Sequence, residues 1–384
     1  MGQGPLAALV GDLLRHGEEA GLAAVGIAPA TSMEATRRIL EERKAAGLSA
    51  NMQFTYRNPV RSTDPSRLLP GAAALVVGAW HYGGQTTVGG PPDGRPKGIV
   101  ARYASRDHYA DLEAALRLLA DLLKRAGWQA RVVFDDNALV DRAAAERAGI
   151  GWFGKNSNVL LPGRGSWFLL GSVVTDAPLP SSTPVEDGCG PCNRCLGSCP
   201  TGALVAPGVL DARRCLAWLL QAPGVFPFEY RAALGGRIYG CDDCQDVCPA
   251  NRLAARLSPS GATGEQSSKS DKQNSKSDEP EVDLLEMLAS SGSALLARHG
   301  RWYIPERDPR YLRRNALIAL GNVGDGQSPE VQATLERYLD GPDDLLRAHA
   351  IWAAIAAGRR DLVTSRPALA DDPSPLVRDE LDRS

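Results

Sequence analysis

All eight cysteines of this 384-residue chain fall between Cys189 and Cys248. The first four stand in C-G-P-C-N-R-C-L-G-S-C-P, from Cys189 to Pro200. In a C-x2-C-x2-C-x3-C-P run the first three thiolates hold one [4Fe–4S] cube and the fourth reaches to a second cube. A shorter run, C-D-D-C-Q-D-V-C-P from Cys241 to Pro249, repeats the spacing with one cysteine too few, and Cys215 makes up the count. The expected ligand sets are therefore Cys189, Cys192, Cys195 and Cys248 for one cluster, and Cys199, Cys215, Cys241 and Cys244 for the other. The proline after each run ends the ligand loop, because it cannot continue a hydrogen-bonded helix. A disulfide framework would need an oxidising compartment, and the Met-Gly-Gln-Gly-Pro start carries no export signal. Zinc knuckles suit isolated C-x2-C pairs rather than two proline-terminated runs.

A chain of this length supports two or three domains. Its net charge of -2 gives no global attraction to nucleic acid, so any polyanion must meet a local patch. There is no 18-residue apolar run, and thiolates carrying iron fit a reducing cytoplasm, which is the location expected.

Strand-like and helix-like stretches alternate over residues 1–180. PLAALVGDLLRHGEEA (5–20) and Asp111–Gly127 have helical apolar spacing, while LAAVGIAPA, the centre of LLPGAAALVVGAWHY (68–82) and ARVVFDD read as strands. A helix is expected over Ala138–Gly149, and a P-G-R-G turn joins two strands in GWFGKNSNVLLPGRGSWFLLGSVVTD. This implies an α/β or α+β domain around one sheet. Residues 181–255 form the ferredoxin-type dicluster segment. The polar stretch SPSGATGEQSSKSDKQNSKSDEPE (258–281) lacks aromatics and is expected to be a disordered linker, drawn at 256–283. From 284 to 384 the chain is helical and repetitive. LRRNALIALGNVG (312–324) resembles LLRAHAIWAAIAAG (345–358), with Arg314 matching Arg347 at a period of 33 and Arg378 following in a weaker copy. Helix pairs at that period stack as an α-solenoid of HEAT-like repeats.

The combination resembles the epoxyqueuosine reductase family, carried most specifically by AERAGIGWFGKNS (145–157), GRIYGCDDCQDVCPAN (236–251) and RRNALIALGN (313–322). The chain departs from the family pattern at SANMQFTYR (49–57) and LAWLLQAPGVFPFEYR (216–231). The resemblance implies an α+β architecture: an α/β cobalamin-binding catalytic domain, the dicluster domain and a solenoid tail. It implies an oxidoreductase that finishes queuosine in the tRNA anticodon, with cobalamin fed by the two clusters. Its relatives are generally monomeric, and an external low-potential donor must supply the electrons. A corrinoid reductase of another substrate, or a ferredoxin-like electron carrier, are the competing readings.

Reducing an epoxide to an alkene needs two electrons, and a group must protonate the oxyanion released when the ring opens. A carboxylic acid in an apolar pocket can keep its proton near neutral pH. Asp135 and Asp136 follow the VVF strand, and neighbouring strand residues face opposite sides, so one of the two is expected over the pocket. Asp135 is favoured by its alignment with the family's proton donor, whereas Asp136 or Asn137 suits a helix cap. Arg57, Asn156, Ser157, Asp242 and Asp243 are further candidates for cofactor contact. Lys155 lacks the frame of a nucleotide phosphate loop. For tRNA, Arg298, Arg301, Arg307, Arg310, Arg313 and Arg314 with Trp302 and Tyr303 form an arginine-aromatic patch suited to phosphate and base contacts.

Overall fold

Four runs rich in small and β-branched residues pair into an antiparallel sheet. Their order is Ala24–Pro29, Ala74–His81, Phe168–Thr175 and Ala130–Phe134. The two central strands are almost continuously apolar because helices cover both of their faces. The Asp141–Arg147 helix packs on one face with Leu75, Val77, Val133 and Val174. The helices Gln3–Glu19 and His108–Arg125 take the other face. There Gly78 and Gly171 lie directly opposite each other on adjacent strands. A Cβ at Gly171 would stand 2.6 Å from Leu116 Cδ1. The missing side chains thus form the notch that seats Leu116 against the backbone. The central sheet expected for this region is present, with Trp152–Phe153 and Val159–Leu160 pairing apart from it and Lys97–Val100 in another sheet, and its antiparallel pairing makes the architecture α+β.

The computed structural model describes residues 3–83, 94–257 and 279–383. The glycine-rich loop at 84–93 and the low-complexity residues 258–278 lie outside the described residues. The chain divides into two units whose segments alternate in sequence. The first comprises Met1–Gly84, Asp107–Arg213 and Asp243–Lys276, and the second Gln85–Arg106, Arg214–Asp242 and Ser277–Ser384. Residues 181–213 and 243–255 of the cysteine segment belong to the first unit, and 214–242 to the second.

In the second unit the strand Lys97–Val100 lies between Arg237–Tyr239, to which it is parallel, and Glu281–Asp283, to which it is antiparallel. The last of these corrects the linker assignment: Val282 packs in the core at 3 % exposure, so Glu281–Asp283 belongs to this unit rather than to a linker. The core of this unit continues into the helical tail. The helices Arg310–Val323, Asp344–Ala356 and Pro375–Arg383 stack in succession, with Pro329–Leu339 beside them, as the repeat predicts.

The repeat arginines serve this packing. Arg347 forms a two-pronged pair with Asp372, both bonds 3.0 Å, and Arg378 donates to the Asp372 carbonyl. Arg314 is 1 % exposed and donates to the carbonyls of Ala222 (2.8 Å), Gly224 (2.7 Å) and Leu219 (3.1 Å). Asn315 donates to Leu220 (2.8 Å) and Ile238 (3.3 Å). His349 is buried between the Leu345 carbonyl and the Phe226 N–H. Its Nδ1 therefore donates and its Nε2 accepts, the neutral tautomer that its strongly lowered pKa, caused by burial, also requires.

The C-terminal helix is tied down by a buried ion pair, Arg231 Nη1 to Glu380 Oε1 at 2.7 Å, with Arg231 also donating to the Phe226 carbonyl. Glu380→Ala leaves that guanidinium without its counter-charge. The expected loss is about 3–5 kcal/mol of unfolding free energy in urea titrations.

Candidate functional site

The first cysteine run has little regular structure, only the turn Arg194–Gly197, so neighbouring elements must hold its sulfurs. All eight cysteines are free and half-buried. Burial pushes the Cys195 thiol up, and the nearby Cys189 and Cys248 sulfurs add to the shift. The three sulfurs are therefore neighbours, although Cys248 is 53 positions downstream of Cys195 in the sequence. Cys189, Cys192, Cys195, Cys199, Cys244 and Cys248 lie in the first unit, and Cys215 and Cys241 in the second.

Cys248 is placed by the residues around it. Asn251 is fully buried, accepts the Ser166 N–H at 2.6 Å and donates to Ser166 Oγ (3.0 Å) and the Gln245 carbonyl (2.8 Å). Gln245 donates in turn to the Ser166 carbonyl (3.0 Å) and to Tyr82 Oη (3.2 Å). These two amides stand on either side of Cys248 and fasten its turn to the segment that follows the P-G-R-G turn. That turn is closed by an antiparallel bridge between Leu161 and Gly165, and it leads from Val159–Leu160 through Ser166 to Phe168–Thr175 in a different sheet. The run itself contains the signal, C-Q-D-V-C-P-A-N, but no spacing rule assigns the amides a partner.

On the second unit, Cys215 caps the short helix Leu216–Leu219, and its carbonyl accepts from Trp218 and Leu219. The far end of that helix is held by Arg314 and Asn315. Asn315 also grips Ile238, three residues before Cys241. The segment 216–231, where the chain departs from the family pattern, is thus anchored by the repeat helix.

The acid region differs from the expected strand end. The strand stops at Phe134, and Asp135 takes a left-handed backbone, φ +46°, which aspartate tolerates better than most residues. Strand alternation therefore does not separate Asp135 from Asp136. Their hydrogen bonds do. Asp136 Oδ1 accepts the Ala138 N–H at 2.8 Å, closing a turn that delays the helix to Asp141–Arg147. Asp135 is exposed as a residue, yet its carboxyl is crowded by protein. That desolvation first, and the Asp136 charge second, raise its pKa, while a hydrogen bond from Tyr109 opposes them. Asp141, not singled out in the sequence, completes an acidic trio. Its Oδ1 is sealed from solvent without a hydrogen-bond partner, and burial together with the Asp135 charge lifts its pKa well above the usual carboxylate range. An aspartate within the small, apolar stretch A-L-V-D-R-A-A-A was the available signal.

The hairpin Trp152–Phe153 and Val159–Leu160 carries Asn156 and Ser157 at its tip. Both are buried, Asn156 Nδ2 and Ser157 Oγ have no partner, and Ser157 adopts φ +64°. Buried polar atoms in a strained turn are what a site for a polar-edged cofactor presents before the ligand satisfies them. Arg57 is exposed in its loop. Asp242 accepts from the Arg102 N–H (2.9 Å) and guanidinium (3.3 Å), which accounts for its carboxylate locally. Asp243 opens the short turn Asp243–Asp246.

The arginine-aromatic patch is not one surface. Arg314 is inside the core, and Trp302 is buried, stacked on Tyr239 at 4.7 Å and donating to the Ala104 carbonyl. Arg301 reaches the same carbonyl, Arg307 the Gly300 carbonyl and Arg313 the Ser290 carbonyl. Arg298 and Arg310 pair with Glu286 and Asp308 but keep 44 % of their side-chain surface exposed. Among the described residues no helix is long and apolar enough to cross a membrane.

A family model for a 4Fe-4S double cluster binding domain matches residues 188–251. An epoxyqueuosine reductase of Vibrio cholerae is 35% identical over 80% of this chain and 81% of its own length. One of Bacillus cereus is 32% identical over 89% and 87%. A crystal structure of epoxyqueuosine reductase with an epoxyqueuosine-modified tRNA-Tyr stem loop superposes with a TM-score of 0.84 at 28% identity, covering 98% of both chains. A Bacillus subtilis epoxyqueuosine reductase, solved with its catalytic aspartate loop swung out of the active site, gives 0.83 at 28% identity over the same shares.

Asn251→Ala strands the Ser166 N–H in the interior and leaves the Gln245 carbonyl with only the Cys248 N–H of its two donors. It is expected to cost about 1–3 kcal/mol and to lower the iron retained after anaerobic reconstitution. Iron content equal to wild type would show that Cys248 does not depend on this amide.

Proposed function

The chain belongs to the epoxyqueuosine reductase family, and from that premise we propose that it reduces epoxyqueuosine to queuosine at the wobble position of a tRNA anticodon. The overall change takes two electrons and two protons and turns the epoxide into an alkene and water. The observation that carries the reading is Asp135: an acid open to an incoming substrate whose carboxyl nevertheless holds its proton above the ordinary range. Such a group can protonate the oxygen released when the epoxide opens.

The proposed ligand sets are Cys189, Cys192, Cys195 and Cys248 for one cluster, and Cys199, Cys215, Cys241 and Cys244 for the other. An external low-potential donor feeds them. Cobalamin, when bound, supplies the reducing chemistry that breaks the carbon–oxygen bond. The unpartnered Asn156 Nδ2 and Ser157 Oγ would meet its polar edge, with Arg57 and Asp243 as further candidates. Within the chain, Tyr109 orients the Asp135 carboxyl through their hydrogen bond, and Asp136 keeps the loop closed through Ala138. tRNA phosphates are met by exposed guanidinium groups such as those of Arg298 and Arg310.

The test is anaerobic reconstitution with iron, sulfide and cobalamin, followed by conversion of epoxyqueuosine-bearing tRNA. Wild type should convert it, and Asp135→Asn should lose conversion by about 100-fold or more while retaining clusters and corrin, as expected for removal of a general acid. Bound corrin without conversion in wild type would move the substrate elsewhere.

The pH dependence has a definite sign. Asp135 works in its protonated form, so the rate should fall as pH rises through its pKa. Asp136→Asn removes one of the charges that hold that pKa up, and the alkaline limb of the rate profile should move to lower pH. An alkaline limb that stays in place would assign the titration to another group.

A further inference from the structure

The hairpin turn that presents Asn156 and Ser157 also touches the first cysteine run, through two residues that the proposed reaction does not use. Trp152 is buried at 9 % exposure, and its indole N–H donates to Cys189 Sγ at 3.3 Å. The ring lies flat against the approach to that cysteine: a Cβ on Gly188 would stand 2.8 Å from Trp152 Cη2, so only glycine lets the loop pass this close. Three residues on, Lys155 Nζ donates to the Gly190 carbonyl at 2.7 Å and to Asn193 Oδ1 at 3.0 Å. One turn therefore places an N–H dipole on a ligand sulfur and a positive charge within the loop that follows it.

Both features act in the same direction on a cluster. Reduction adds negative charge that is shared with the ligand sulfurs. A donor to sulfur and a nearby cation each stabilise the reduced form and raise the potential. Asp187 opposes the effect, its carboxylate accepting the Cys189 N–H at 2.8 Å. The net potential is then a balance in which the turn supplies the positive side.

We propose that Trp152 and Lys155 set the reduction potential of the cluster ligated by Cys189, holding it above the value the cysteine loop alone would give. The inference rests on the assignment of Cys189 to a [4Fe–4S] cluster, and not on the substrate or the corrin.

The experiment is a redox titration of the reconstituted full-length protein without cobalamin or tRNA, followed by electron paramagnetic resonance, on wild type, Trp152→Phe and Lys155→Met. Trp152→Phe removes the N–H together with the outer indole ring that lies over Gly188. Lys155→Met keeps the aliphatic stem and removes the charge. With iron content equal to wild type, each variant should lower one of the two midpoint potentials and leave the other in place. Unmoved midpoints in both variants overturn the proposal. If Trp152→Phe sheds its cluster, Lys155→Met decides alone, and an unmoved midpoint there overturns it. A wild type with no four-iron signal would instead remove the cluster assignment on which the inference stands.

Discussion

A cluster ligand has to keep its sulfur in place although the loop around it buries little apolar surface. For Cys248 this is done by the hydrogen bonds that join Gln245 and Asn251 to Ser166 and to each other. Each is worth about 1 kcal/mol net, and each becomes more costly to break once its partners are dry. They fasten the second cysteine run to the strand-bearing segment of the first unit. Through that anchorage Cys248 comes within electrostatic reach of Cys195, whose thiol is pushed up by burial and by the sulfurs of Cys189 and Cys248. Trp152 and Lys155 approach the same loop from the hairpin.

The second unit meets the same constraint with different chemistry. Cys215 and Cys241 stand at the ends of segments whose carbonyls are gathered by Arg314 and Asn315. Burial pulls the pKa of the Arg314 guanidinium down to about 9, still high enough for it to stay charged at neutral pH. Desolvating a guanidinium is costly, and the ring of backbone acceptors offsets it. The helical repeats are therefore scaffolding for cysteine-bearing segments. That is why Arg314 faces inward rather than toward a polyanion.

At the acid site the controlling feature is backbone geometry. A left-handed residue after the Ala130–Phe134 strand swings the chain into a turn, and the Asp136 carboxylate stabilises that turn by accepting from Ala138. Two adjacent aspartates thereby acquire different work. Asp136 is committed to the backbone, and Asp135 is open to solvent but crowded enough to favour its neutral form. Asp141 adds a sealed carboxyl beneath the same turn.

Cysteine spacing is local covalent information, so the double-cluster chemistry was legible in the sequence alone, and so was the stacking of repeat helices whose apolar faces recur at a fixed period. The alternation of strands and helices likewise announced one sheet, though not its antiparallel order, since hydrophobic period says nothing about which strands pair. Partners far apart along the chain are different. That Asn251 meets Ser166, that Trp152 meets Cys189, that Trp302 and Arg314 turn inward, and that Asp135 leaves the strand before it can alternate with Asp136 all depend on where the packed chain brings distant groups. Each residue's type was visible in the sequence. Its role was decided in the tertiary structure, because burial and hydrogen-bond partners determine whether a charge, an amide or an indole N–H serves the core, the cluster or the substrate.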